Sequence, residues 1–68
     1  MRTNVKQLRQ KYPEGTELIC IRMEDKQAVP EGTKGEVTHV DDIGTIHMKW
    51  QNGSTLGLIP ERDIFKAA

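Results

Sequence analysis

The sequence predicts an all-β domain of five short strands preceded by one short helix, and three observations carry that prediction. Residues 34–41, 45–50 and 54–59 are strand-like runs separated by Asp42-Ile43-Gly44 and Gln51-Asn52-Gly53, turns that each end in glycine. Residues 17–23 form another apolar run, and Ile64-Phe65 makes a fifth after the break at Pro60. The third observation is size: 68 residues, 35% hydrophobic and only 4% aromatic, leave room for one small core and one domain spanning residues 1–68.

The helix occupies residues 3–12, within a leading segment 1–12. Thr3 or Asn4 is available as N-cap, Gln7 stands where a capping box would use it after Asn4, and Pro13 stops the helix. Val5, Leu8 and Tyr12 line one narrow face at spacings of three and four. A helix this short does not hold itself in water, so it must dock on the strands or on a partner, and the strands are the preferred site. In the run 17–23, Leu18 and Cys20 alternate with Ile19, Ile21 and Met23, so both faces are apolar and the helix is the expected cover for the second. Residues 24–33 read as a polar loop containing a turn at Val29-Pro30-Glu31-Gly32. Pro60-Glu61-Arg62-Asp63 reads as one tight helical turn before the last strand.

Side chains fix the register of the central meander, because a slip of one residue sends a whole apolar set to the wrong face. A two-residue turn at Asn52-Gly53 would set Leu56 against Lys49. A three-residue loop with Gly53 left-handed sets Trp50 against Ser54, Met48 against Leu56 and Ile46 against Leu58. The same loop at Asp42-Ile43-Gly44 pairs Val40 with Ile46. The inner layer is then Val40, Ile46, Met48, Leu56 and Leu58, and the outer layer His39, His47, Lys49, Thr55 and Gly57. Val37 falls on the outer layer opposite Lys49, so either the helix covers it or a bulge shifts the strand there.

Five short strands with a long first loop, tight second and third turns and a helical turn before the last strand describe an SH3-like barrel over residues 16–66. Several strings in this order carry a resemblance: Tyr12-Pro13-x-Gly15-Thr16, Ile21-Arg22-Met23, Pro30-x-Gly32-Thr33-x-Gly35-x-Val37, Val40-Asp41-Asp42-x-Gly44-x-Ile46-His47-x-Lys49-Trp50 and Asn52-Gly53-Ser54. Together they resemble the family known as domain of unknown function 4314, small proteins of bacteria, their phages and mobile elements. The resemblance runs over about residues 12–65 and implies a compact SH3-like barrel with no catalytic residue to carry over. The helix lies outside the strings that carry it.

For function, charge is informative in its placement. The formal net charge is +0, yet residues 1–11 hold Arg2, Lys6, Arg9 and Lys11 with no acid; of ten basic residues, six remain against ten acidic ones in the rest. These four make the helix a candidate contact for a partner or for nucleic-acid phosphates. His39 and His47 sit across from each other beside Lys49 on the outer layer, a second candidate surface, but two histidines are too few for a zinc site. Asp41-Asp42-x-Gly44 is what a turn requires and lacks the oxygen ligands of a calcium loop. Cys20 reads as a small buried side chain. One cysteine excludes an internal disulfide, and no apolar run has the length of a signal or membrane segment, so the expected location is the cytoplasm.

No phosphate-binding loop and no nucleophile with a base and orienting partner stands out, so no enzyme and no cofactor are expected. Tyr12, Trp50 and Phe65 are too few aromatics to line a groove for proline-rich peptides or a methyl-lysine cage. The expectation is a small non-enzymatic module binding a protein partner, with nucleic-acid binding through the basic helix as the alternative and no role for membrane or small-molecule substrate.

Overall fold

The structure is a computed structural model, and it describes residues 4–68. One helix, α1 (Val5–Lys11), precedes four strands: β1 (Glu17–Arg22), β2 (Lys34–Val40), β3 (Ile46–Trp50) and β4 (Ile64–Ala67). The strands form one antiparallel sheet in the order β3-β2-β1-β4. Its buried face gathers Leu18, Cys20, Val37, Val40, Ile46, Met48 and Trp50, with Met23, Val29 and Leu58 supplied from outside the strands.

The hairpin from β2 to β3 forms as its turn residues dictate. Val40 pairs with Ile46 and His39 with His47. The two three-residue loops close with Gly44 and Gly53 at φ of 87° and 90°, a region that costs a residue with Cβ. The register shifts between Val37 and His39, setting Val37 opposite Met48 and turning it into the core. Of the two expected alternatives, the bulge is the one seen in the strand pairing. Gly35 faces the Trp50 ring so closely that an added Cβ would lie 2.6 Å from it. The indole thus occupies space that only glycine leaves open.

Residues 54–59 do not form the expected strand, so the sheet has four strands where five were expected. Both ends keep the expected register: the Trp50 N–H donates to the Ser54 carbonyl, and Ile46 and Leu58 exchange backbone bonds. Between them, side chains take the groups that a ladder would have used. The Trp50 indole N–H donates to the Leu56 carbonyl at 2.7 Å, and the Ser54 hydroxyl accepts from the Leu56 N–H. Leu56, expected opposite Met48, is accordingly only half-buried.

Asn4 caps the helix, its carboxamide oxygen accepting the Gln7 N–H; Thr3 lies outside the described residues. Val5, Leu8 and Tyr12 face the core as their spacing requires. The helix packs along β2, however, and not on the second face of β1, so Ile19 and Ile21 stay half-exposed. Arg9 explains the placement, because its guanidinium reaches the Val40 carbonyl at the end of β2 and the Asp42 carboxylate in the next turn. The loop 24–33 also contributes to the core: Val29 is buried, and its carbonyl lies 3.4 Å from the Cys20 thiol. The turn there begins one residue later than expected, with the Thr33 N–H closing on the Pro30 carbonyl.

Met48→Ala is expected to cost about 2–5 kcal/mol and Lys49→Ala no more than about 0.5 kcal/mol in a denaturant titration, since Met48 is buried and Lys49 exposed. The opposite ranking would overturn the register of β3.

Candidate functional site

Three surfaces hold the chemistry the described residues offer. The first is the outer layer of the β2–β3 hairpin, where His39 and His47 are cross-strand partners with rings stacked at 4.3 Å and 6°. A carboxylate only accepts hydrogen bonds, so His47 Nε2–H donates to Asp41 Oδ2 at 2.8 Å. The Thr38 hydroxyl spends its one proton on the His47 carbonyl and therefore accepts from His39 Nδ1–H. Ring lone pairs lie in the ring plane, so two parallel rings do not converge on one ion. Among the described residues no group of three or more His, Cys, Asp or Glu side chains is arranged to hold a metal.

Asp41 is the organising side chain of that hairpin. Its carboxylate accepts from His47 and from the backbone N–H groups of Thr45 and Ile43, and the His47 bond is the largest of the causes that hold its pKa below the ordinary aspartate value. The aspartate pair expected to serve the turn does so, with Asp41 bonding inward and Asp42 bonding Arg9. Lys49 is exposed on the same layer, beside Thr55 and His47 along an open groove. Burial pushes the Cys20 thiol above its ordinary pKa, with the charges of Asp63 and Glu31 adding to the shift, which is the opposite of what a nucleophile needs.

The second surface is the basic helix. Arg2 lies outside the described residues. Arg9 is committed to Asp42 and the Val40 carbonyl, and the Lys11 ammonium sits 5.5 Å from the centre of the Tyr12 ring. The four charges therefore do not act as one free cluster: one ties the helix to the sheet, while Lys6 is exposed.

The third surface, which sequence reasoning missed, is the outer edge of β4. Its position depends on Asp63, whose side chain is fully buried. One carboxylate oxygen accepts from the Glu24 N–H, just beyond β1, and the other from the Ile59 N–H. Arg62 caps the same carboxylate. Burial pushes the Asp63 pKa up, but the Arg62 guanidinium and the two N–H groups outweigh it and hold the group ionised below its ordinary value. The chain leaving this clamp pairs with β1, Cys20 opposite Phe65, Ile19 opposite Lys66 and Leu18 opposite Ala67.

Bond direction along β4 follows from the bonds of Ala68 and of Cys20, the β1 residue opposite Phe65. The Ala68 N–H donates to the Glu17 carbonyl, while Cys20 bonds away from β4, to Thr33 and Gly32. Alternation in an antiparallel ladder then turns Lys66 and Ala68 toward β1, and the N–H and C=O of Phe65 and Ala67 outward. No strand among the described residues pairs with that side. Ile64, 55% exposed, and Lys66 project on the face away from the core, whereas Phe65 packs edge-on against Tyr12.

These features define a small, mainly β domain with an open antiparallel sheet and one short docked helix. The chain belongs to the family described as Domain of unknown function (DUF4314), whose pattern matches residues 1–68 and so takes in the helix as well as the strands. No curated protein and no solved structure matches it. Among the described residues, no helix is long and apolar enough to cross a membrane.

Because Asp63 and Asp41 both have lowered pKa values, the stability they confer is complete above the ordinary aspartate range and is lost as pH falls through their folded-state values. The denaturation midpoint is therefore expected to drop below about pH 4. Asp63→Asn leaves one backbone N–H facing a donor and is expected to cost about 1–3 kcal/mol at neutral pH while flattening the acid dependence. An unchanged acid limb in that variant would remove Asp63 from its cause.

Proposed function

We propose that this chain is a non-enzymatic protein-interaction module that takes a partner strand on the outer edge of β4. The observation that carries this reading is the outward set of backbone donors and acceptors at Phe65 and Ala67, which adjoin no strand on that side among the described residues. Strand addition draws its affinity from such groups and its specificity from alternate side chains. In this reading the domain is a minimal SH3-like barrel in which residues 54–59 stand in for a strand, and it works in the cytoplasm; its family resemblance implies a bacterial, phage or mobile-element setting.

The test is capture from bacterial lysate by the tagged domain and by its Ala67→Pro variant. Proline removes an outward N–H that β1 does not use, so the fold, followed by circular dichroism, is expected to stand while the edge is blocked. Proteins retained by the wild type and absent from the variant support the reading. Equal retention by both would move the site elsewhere, and no retention by the wild type would contradict it. Duplex DNA bound at about 50 mM salt, lost on replacing Lys6 and Lys11 with alanine, would favour the helix and nucleic acid instead.

A further inference from the structure

The β4 edge also specifies what kind of strand it accepts, an inference that rests on the edge reading above. Take a partner strand in the antiparallel sense of every ladder in this sheet. Phe65 and Ala67 exchange backbone bonds with it, which makes Lys66 the non-hydrogen-bonded position between them. At such a position facing Cα atoms are about 4.5 Å apart and the side chains closest, so the charge opposite Lys66 weighs most.

A second copy of this chain fits poorly there. The two-fold register that uses Phe65 and Ala67 of both copies sets Lys66 against Lys66, a like-charge pair on an edge strand of the kind that discourages self-association. Shifting the register to set Phe65 against Phe65 brings Ala67 opposite the Asp63 turn, where the chain is bonded to Ile59 and Glu24 and is not free to extend a ladder. Heterologous partners face no such repulsion.

We infer that the β4 edge binds an extended segment of a different protein whose sequence runs apolar, acidic, apolar, apolar. The acidic residue lies opposite Lys66, and the apolar residues beside it lie opposite Ala67 and Phe65. The last apolar residue lies opposite Ile64 and covers a side chain that is otherwise 55% exposed. The two positions facing Ala67 and Phe65 share the face of Leu18 and Cys20, so they extend the core side of the sheet beside Tyr12. The bland role of Lys66, guarding an edge, and this selective role come from the same charge.

The experiment is selection of a displayed library of random ten-residue peptides against the full chain, its Lys66→Glu variant and its Ala67→Pro variant. The expected result is enrichment of Asp or Glu at one position flanked by apolar residues, exchanged for Lys or Arg with Lys66→Glu, and no enrichment with Ala67→Pro. For one selected peptide, replacing the acid by lysine is expected to weaken binding about three- to tenfold. Peptides that bind Ala67→Pro as well would overturn the edge reading itself. Peptides lost with Ala67→Pro but indifferent to the charge at residue 66 would overturn the acidic pairing and leave the edge reading standing. Failure to enrich any peptide, or a wild-type dimer in sedimentation that Ala67→Pro abolishes, would also overturn the inference, the latter in favour of a second copy.

Discussion

The buried carboxylate of Asp63 holds the parts of this domain in their relative places. It sits where three segments meet: the exit of β1 at Glu24, the end of the 54–59 segment at Ile59, and the start of β4 at Ile64. A charge is a costly group to bury, and it persists here because two backbone N–H groups and the Arg62 guanidinium fill its lone pairs. Apolar packing alone would not define where β4 begins, since β4 contributes only half-buried and exposed side chains. The clamp therefore sets the register of β4 on β1, and through that register decides which backbone groups face outward.

A second constraint acts at the other end of the sheet. Trp50 fills the space over Gly35 and donates its indole N–H to Leu56, so the last apolar segment is held to β3 by a side chain between two backbone contacts. The two sheet ends consequently differ. The β3 end is covered by its own chain, while the β4 end presents regular, outward backbone groups. The polar outer layer between them, with His39 and His47 stacked and Asp41 bonded to His47 and the turn, has its polar groups directed at one another.

Much of the hairpin was legible in the sequence because it is local. Glycine at the end of each turn fixed loop length, and loop length fixed the pairs Val40–Ile46, His39–His47 and Ile46–Leu58. The bulge after Val37 left a trace as well, since Val37 and Val40 are apolar at an odd spacing that no flat strand can place on one face. What the pattern could not convey was long-range and polar. Nothing in residues 54–59 announces that a tryptophan indole and a serine hydroxyl will take their ladder bonds. Apolar patterning points the helix to β1, yet Arg9 carries it to the end of β2. In the sequence Asp63 reads only as a turn residue, and its place between Ile59 and Ile64 is the one hint that it turns inward. The β4 edge was invisible for the same reason, because an edge is a property of strand order and not of composition.

Amide hydrogen exchange along β4 tests this account most directly, residue by residue in the free, dilute protein. The account predicts alternation: Lys66 and Ala68 protected by their bonds to β1, Phe65 and Ala67 exchanging at near-solvent rates until a partner strand is added. Equal protection at all four amides, or protection of Phe65 and Ala67 with Lys66 exposed, would contradict the register that Asp63 imposes and the open edge that follows from it.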